Sequence, residues 1–144
     1  MPESKGSLTI NAPIEKVFDA VAEPEKMANY VVSKLVGFTG TPGELGSYAE
    51  WLYPVAGMKI RGKTIVSEVD KPRRLVQEMS GTMKGKWIWV LEQDGQAVKV
   101  DFCLEYIVPG GILGKIADKL FLGKMNQKTM VKTMQGLKTY CEKL

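Results

Sequence analysis

The sequence has 144 residues, of which 44% are hydrophobic and 25% are charged, and its net charge is +4. These values are typical of a soluble globular protein and exclude a disordered or collagen-like chain. The length suits one domain, so we expect residues 1–144 to fold as a single unit with one sizeable core. No apolar run approaches the roughly 20 residues that cross a bilayer, and the first residues lack the layout of a secretory signal. We therefore expect a cytoplasmic protein.

Histidine is absent, and the only cysteines are Cys103 and Cys141. The absence of histidine excludes Ser-His-Asp and Cys-His catalysis and histidine-based metal sites. The two cysteines lie far apart in sequence and in no CxxC spacing, so we interpret both as small buried hydrophobic residues. The sequence thus predicts no metal and no cofactor.

The first 30 residues change from a strand pattern to a helical pattern. Leu8 and Ile10 alternate with polar residues, as in a half-buried strand. Asn11 then offers a cap for a helix, and Pro24 begins a second short helical turn that extends to about Tyr30. The apolar positions of the first helix recur at i, i+3, i+4 and i+7, and they are Ile14, Val17, Phe18 and Val21.

From residue 31 to residue 108, strand-like segments alternate with turn signals, which predicts five or six antiparallel strands in a curved meander. Asp94 and Gly95 give the clearest hairpin signal, because glycine accepts the positive φ of a tight turn. In the segment 58–69 the apolar phase changes between Ile60 and Ile65. The inward face of this segment is therefore ambiguous, and Gly62 could host a β-bulge between the two phases.

Trp87 and Trp89 occupy one face of a predicted strand, while the other face has charged residues at both ends. The indoles are therefore predicted to point inward. The next strand alternates in the same way, which turns Asp101 and Glu105 outward. Its inward residues are Val98, Val100, Phe102, Leu104, Tyr106 and Val108.

The segment 112–144 has the pattern of a long amphipathic helix. Lys124, Lys128 and Lys132 lie mainly on its polar side, and Gly123 predicts a kink or a loop-to-helix boundary. The lysines are interpreted as a solvated face, with no nucleic-acid partner, and a weak contact with an anionic membrane surface stays open. The apolar sector comprises Leu113, Ile116, Leu120, Met130, Val131, Met134, Leu137 and Cys141.

Four stretches resemble the START-like, or SRPBCC, superfamily in their order and spacing: "INAPIEKVFDAVAEPEKM", "GELGS", "VSEVDKPRRL" and "LEYIVPGGILGKIADKLF...GLKTYCEKL". They span roughly residues 7–142. The resemblance implies an α+β helix-grip fold, in which a curved antiparallel sheet of about seven strands wraps around a long C-terminal helix. It also implies two short helices after the first strand and an internal pocket for an apolar molecule. The superfamily includes lipid carriers, polyketide cyclases and chaperone activators, and the fold alone does not choose among them.

The leading interpretation is a binder or carrier of a small hydrophobic molecule, such as a lipid, a quinone or a polyketide-like compound. Aromatic and methionine side chains would give the cavity adaptable, polarizable walls. Each of these side chains also has an ordinary interpretation as core. The predicted ligand-binding residues are Trp51, Met58, Met79, Trp87, Trp89, Phe102, Leu104, Tyr106, Leu120, Met130 and Met134.

Two alternatives stay open. The first is a cyclase- or dehydratase-type enzyme acting on a polyketide-like substrate, which needs a proton donor and acceptor beside the pocket. Inward-facing candidates are Tyr106 and Gln77, with Tyr53, Glu50 and Arg61 as weaker ones, and no paired carboxylates face inward, so no catalytic residue is assigned. The second is an interaction module of the chaperone-activator kind or a membrane-surface protein. The sequence allows a monomer or a dimer.

Overall fold

A computed structural model describes the chain over residues 3–55, 57–81, 84–107 and 119–143. Within these residues there are seven strands and three helices. In chain order they are β1 (Glu3–Ile10), α1 (Ile14–Ala22), α2 (Pro24–Met27), β2 (Lys34–Thr39), β3 (Tyr48–Val55), β4 (Met58–Asp70), β5 (Arg74–Gly81), β6 (Lys84–Asp94), β7 (Ala97–Ile107) and α3 (Lys119–Glu142).

The seven described strands form one antiparallel sheet in the order β1-β7-β6-β5-β4-β3-β2. Strands β2 to β7 pair with their neighbours in sequence, as the short turns between them require. β1 joins this meander by pairing with β7. Two short helices follow β1, and α3 follows the sheet, so the predicted α+β helix-grip fold is confirmed.

The turn between β6 and β7 agrees with its prediction, whereas the bulge in β4 does not. Asp94 pairs with Ala97 and Gly95 has a φ of 64°, as a tight hairpin requires. The register between β3 and β4 runs without a shift through Gly62, so the bulge that the sequence allowed there is not formed. The register shift lies between Val66 and Glu68, on the side of β4 that pairs with β5.

Helix α1 begins without the predicted side-chain cap. Its N-cap residue is Pro13, which makes no side-chain capping bond, so the assignment of Asn11 as the cap was wrong. The backbone N–H of Asn11 instead donates to Glu142 Oε2 at 2.8 Å. Asn11 therefore links the end of β1 to the end of α3, a contact across the chain that local sequence does not reveal.

Helix α3 has one buried side and one exposed side. Lys124, Lys128 and Lys132 are exposed, as the pattern predicts. Val131 was expected on the apolar side but is 52% exposed, because one residue step turns a helix by about 100° and carries it away from Met130. The buried side chains described on α3 are Met130, Thr133, Met134, Leu137 and Cys141.

The described part of α3 is continuous from Lys119 to Glu142 and passes through Gly123 without a break. Of the two alternatives at this glycine, the loop-to-helix boundary was therefore wrong, and the kink stays a prediction. Leu113 and Ile116, which were predicted on the same helix, lie outside the described residues, as does Val108 of the predicted β7 face. In the part of the chain that the structure describes, no helix has the length and apolar character to span a bilayer.

Two glycines let α3 approach its neighbours closely. A Cβ atom at Gly6 of β1 would lie 3.1 Å from Met130 Sδ, and one at Gly136 would lie 2.9 Å from Tyr30 Cβ. At the C-terminal end of the helix, Lys138 Nζ donates to the Thr9 carbonyl at 2.9 Å. These contacts fix α3 against β1 and against the segment after α2.

Shortening the buried side of α3 is expected to destabilise the fold. Leu137 is 0% exposed, so Leu137→Ala should lower the free energy of unfolding by about 2–5 kcal/mol through lost burial and a residual cavity. Val131→Ala on the same helix is the control and should change it by less than about 0.5 kcal/mol. Urea denaturation measures both, and equal effects of the two substitutions would contradict this packing of α3.

Candidate functional site

A cavity lies between the concave face of the sheet and α3. Its volume is about 90 Å³ when only the space open to the centre of a water molecule is counted. All the empty space, including the open mouth, is about 770 Å³. Thr129, Met130 and Thr133 line it from the helix. The segment 31–33 and Pro54 line its mouth, where Val32 is 39% exposed. The sheet and α3 are therefore in contact at β1 but separated by vacant space farther across the sheet.

Six of the eleven residues predicted to bind ligand line this cavity: Met79, Trp87, Phe102, Leu104, Tyr106 and Met130. The sheet register brings the β-strand members together, because Trp87 pairs with Leu104 between β6 and β7. The rings of Trp87 and Phe102 meet edge to face, with centroids 6.1 Å apart and an interplanar angle of 77°. Ligand contact itself stays a prediction for all six.

The other two tryptophans fill the core. Trp51 is 1% exposed, and its Nε1 donates to Thr64 Oγ1 at 3.1 Å. Trp89 is 0% exposed and stacks on Phe102 with ring centroids 4.0 Å apart and an interplanar angle of 14°. Phe102 thus lies between the cavity and Trp89, and it separates this indole from the vacant space.

Two of the predicted methionines do not line this cavity. Met58 is half-buried at the start of β4 and packs against the edge of the core. Met134 packs over β1, where its Cγ would lie 3.6 Å from a Cβ atom at Gly6. The side chain of Leu120 lies outside what the structure describes.

Several lining residues were not predicted as binding residues. Thr129 and Thr133 lie on α3 one and three positions from Met130, so helical period combined with the methionine stripe could have found them. The segment 31–33 has neither strand nor helix pattern, and its position depends on how Tyr30 packs against α3. The other lining residues that were not predicted to bind ligand are Val31, Val32, Ser33, Tyr53 and Pro54.

The indole N–H of Trp87 already has a partner. Its Nε1 donates to Met79 Sδ at 2.7 Å, and both side chains are at least 91% buried. Thioether sulfur is a weak acceptor, but it satisfies a donor that water does not reach. This bond fixes the orientation of two lining side chains on neighbouring strands.

Tyr53 combines a fixed ring with an unpaired hydroxyl. A Cβ atom at Gly62, which is near it on β4, would lie 2.6 Å from Tyr53 Cε2, so the absence of a side chain at Gly62 makes room for the ring. The hydroxyl is buried and makes no hydrogen bond among the described residues, which costs about 1–3 kcal/mol. Burial raises the pKa of Tyr53 well above its ordinary value, so the phenol stays neutral.

Charged side chains are missing from the described lining of the cavity. Glu50 and Arg61, which the sequence suggested for proton transfer, form an ion pair on the exposed side, with 2.9 Å between Oε2 and Nη2. Gln77 faces inward as predicted, but it lines a separate small cavity with Thr64. Among the described lining residues, the tyrosine hydroxyls are the remaining titratable groups.

A cluster of polar side chains lies between β1 and β7, away from the cavity. Donor atoms of Glu3, Cys103 and Glu105 lie within 4.8 Å of one another, which is a spacing that could hold a metal ion. The Lys5 ammonium lies 3.2 Å from Glu3 Oε1 and supplies a cation there. Burial raises the pKa of the Cys103 thiol, which disfavours the thiolate that metals require. Cys103 is half-buried rather than buried as predicted, whereas Cys141 is 1% exposed.

Removing the sulfur acceptor tests the bond between Trp87 and Met79. Met79→Leu keeps the side-chain volume but leaves the indole N–H unpaired, so it should lower the free energy of unfolding by about 1–2 kcal/mol. It should also shift the indole proton resonance of Trp87 in an NMR spectrum. The control is Met134→Leu, a buried methionine away from this indole, and equal effects of the two variants would contradict the bond.

Comparisons with known proteins agree with this fold. Comparison with curated proteins gave no match. Among solved structures, the protein TTHA0849 from Thermus thermophilus has a TM-score of 0.69 and 21% identity, with 97% of each chain covered. The Aha1 dimer from Colwellia psychrerythraea has a TM-score of 0.70 and 14% identity, covering 99% of this chain and 97% of that one. Major latex-like protein 151 from Panax ginseng has a TM-score of 0.68 and 11% identity, covering 99% and 100%.

At these identities the solved structures show a shared fold and no shared activity. The family model described as "Polyketide cyclase / dehydrase and lipid transport" matches residues 1–142, which is nearly the whole chain. The chain therefore belongs to the polyketide cyclase / dehydrase and lipid transport family, within the START-like superfamily.

Proposed function

We propose that this protein binds or carries a small hydrophobic molecule in the cavity between the sheet and α3. The observation that supports the proposal is vacant space with a largely apolar lining and an open mouth. Binding of an apolar ligand is favourable because it removes the apolar walls and the apolar surface of the ligand from contact with water. The family description names both catalysis and lipid transport, and each requires that an apolar molecule be bound first.

The size of the cavity restricts how a ligand would bind. The reachable volume of about 90 Å³ is below the roughly 150 Å³ of an engineered cavity that binds benzene. A lipid, quinone or polyketide-like molecule would therefore extend into the mouth or displace flexible side chains. Met79 and Met130 suit such adjustment, because unbranched methionine side chains repack at low cost.

The lining favours binding over acid–base catalysis. A cyclase or dehydratase needs a group that accepts a proton and a group that donates one. The raised pKa of Tyr53 keeps it from acting as a base near neutral pH. The described lining otherwise presents carbon, sulfur and uncharged polar groups to a ligand. We therefore infer a carrier or binding protein rather than an enzyme.

Other partners have less support. The exposed lysines of α3 agree with a solvated face, and the comparisons give no support to contact with an anionic membrane. A dimer is known for one structure of the same fold, the Aha1 dimer, and this chain is proposed to act as a monomer or a dimer. Hydrophobic-ligand binding is the role to which the cavity itself points.

A cavity-filling substitution tests the proposal. The purified protein would be incubated with oleate, menadione and an anthraquinone, and retained ligand would be measured by native mass spectrometry. Thr133 is 7% exposed and lines the cavity, so Thr133→Met should fill part of the space and weaken binding by about tenfold.

The matched control is Thr139→Met, the same change at an exposed position of α3. It should leave binding unchanged. No retained ligand in the unmodified protein, or equal binding by both variants, would contradict a ligand site in this cavity.

A further inference from the structure

The geometry points to Tyr53 as the hydrogen-bonding anchor of the cavity, and to a neutral, mostly apolar ligand that carries a hydroxyl or carbonyl oxygen. This inference rests on the proposed function, because it names the chemical class of molecule that the same cavity would take. It concerns one side chain and makes no claim about catalysis.

Among the described residues, the aromatic side chains whose buried polar atoms lack a hydrogen-bond partner are Tyr53 and Trp89, and Tyr53 is the one that lines the cavity. Tyr30 Oη donates to the Ala20 carbonyl at 2.7 Å, and the Trp87 indole donates to Met79. Tyr53 lines the cavity, whereas its hydroxyl is buried and makes no hydrogen bond among the described residues. A ligand oxygen that displaces the side chains covering this hydroxyl would supply the missing partner, and a phenol can donate to a carbonyl or accept from a hydroxyl.

The ring is held in place before any ligand arrives. Tyr53 pairs with Ile60 across β3 and β4 and is 8% exposed. The ring lies over Gly62, where even a Cβ atom would come within 2.6 Å of it. A pre-positioned hydroxyl costs little side-chain entropy on binding, so its bond contributes more fully to affinity.

The absence of charge from the described lining favours a neutral group on the part of the ligand that enters the cavity. A carboxylate or ammonium group entering the cavity would leave water without meeting an opposite charge among the described lining residues. Burial also disfavours ionisation of Tyr53 itself, so the anchor is a neutral phenol rather than a phenolate. A ligand with one neutral oxygen and an otherwise apolar surface would match both the Tyr53 hydroxyl and the apolar lining.

Matched small probes and a single-atom substitution test the inference. The probes are p-cresol, toluene and p-toluate, which share one ring and differ in the polar group, with affinities measured by NMR titration. Tyr53→Phe removes only the hydroxyl and should weaken p-cresol binding roughly five- to tenfold while leaving toluene binding unchanged. Tyr48→Phe, the same change on the same strand but outside the cavity, should alter neither affinity.

The stability of the free protein gives a second readout. Because the hydroxyl is unpaired, Tyr53→Phe should not lower the free energy of unfolding. A lower free energy of unfolding would mean that the hydroxyl is already bonded, and it would overturn the inference.

The binding results separate failure of the inference from failure of the proposed function. Equal loss of p-cresol and toluene binding in Tyr53→Phe, or p-toluate binding as tight as p-cresol, would overturn the inference while leaving hydrophobic binding intact. If none of the probes bound at all, and the oleate, menadione and anthraquinone incubations also failed, the proposed function itself would be overturned.

Discussion

The close contact of α3 with β1, at one edge of the sheet, sets the position of the helix and thereby the geometry of the cavity. Gly6 on β1 and Gly136 on α3 lack side chains at the points where Met130 of the helix packs on β1 and where Tyr30 packs on the helix. Pairing continues from β1 across to β2, and twisted antiparallel sheets of this size curve. The sheet therefore curves away from the helix as the distance from β1 increases. The resulting gap between the sheet and the helix forms the cavity. A larger side chain at Gly136 would collide with Tyr30 and its backbone, whereas one at Gly6 would first displace the flexible Met130 side chain.

The arrangement of the strands could be predicted from sequence, whereas several local details could not. Alternation placed Trp87 and Trp89 on the inner face, because period two is a property of the strand itself. Gly62 was interpreted as a possible bulge because a glycine in a strand can mark either a bulge or a place where another group approaches closely. Here the approaching group is the Tyr53 ring, which the sequence alone does not reveal. Asn11 was misassigned because its partner, Glu142, is 131 residues away.

The candidate site was predictable only in part for a related reason. Inward-facing residues of a curved sheet divide into those beneath the helix and those beside the vacant space, and alternation does not distinguish the two groups. Trp89 and Trp87 share a face and a strand, yet Phe102 covers only the first of them. The mouth is lined by the segment after Tyr30, whose position depends on tertiary contacts alone.

The central claim is that the space between the sheet and α3 is vacant and accessible, and crystals pressurised with xenon test it most directly. Xenon binds dry apolar cavities and is located by its anomalous scattering. The structure predicts a xenon atom beside Trp87, Leu104 and Thr133. A map without xenon at this place, in which the protein's own side chains occupy the space, would contradict the claim.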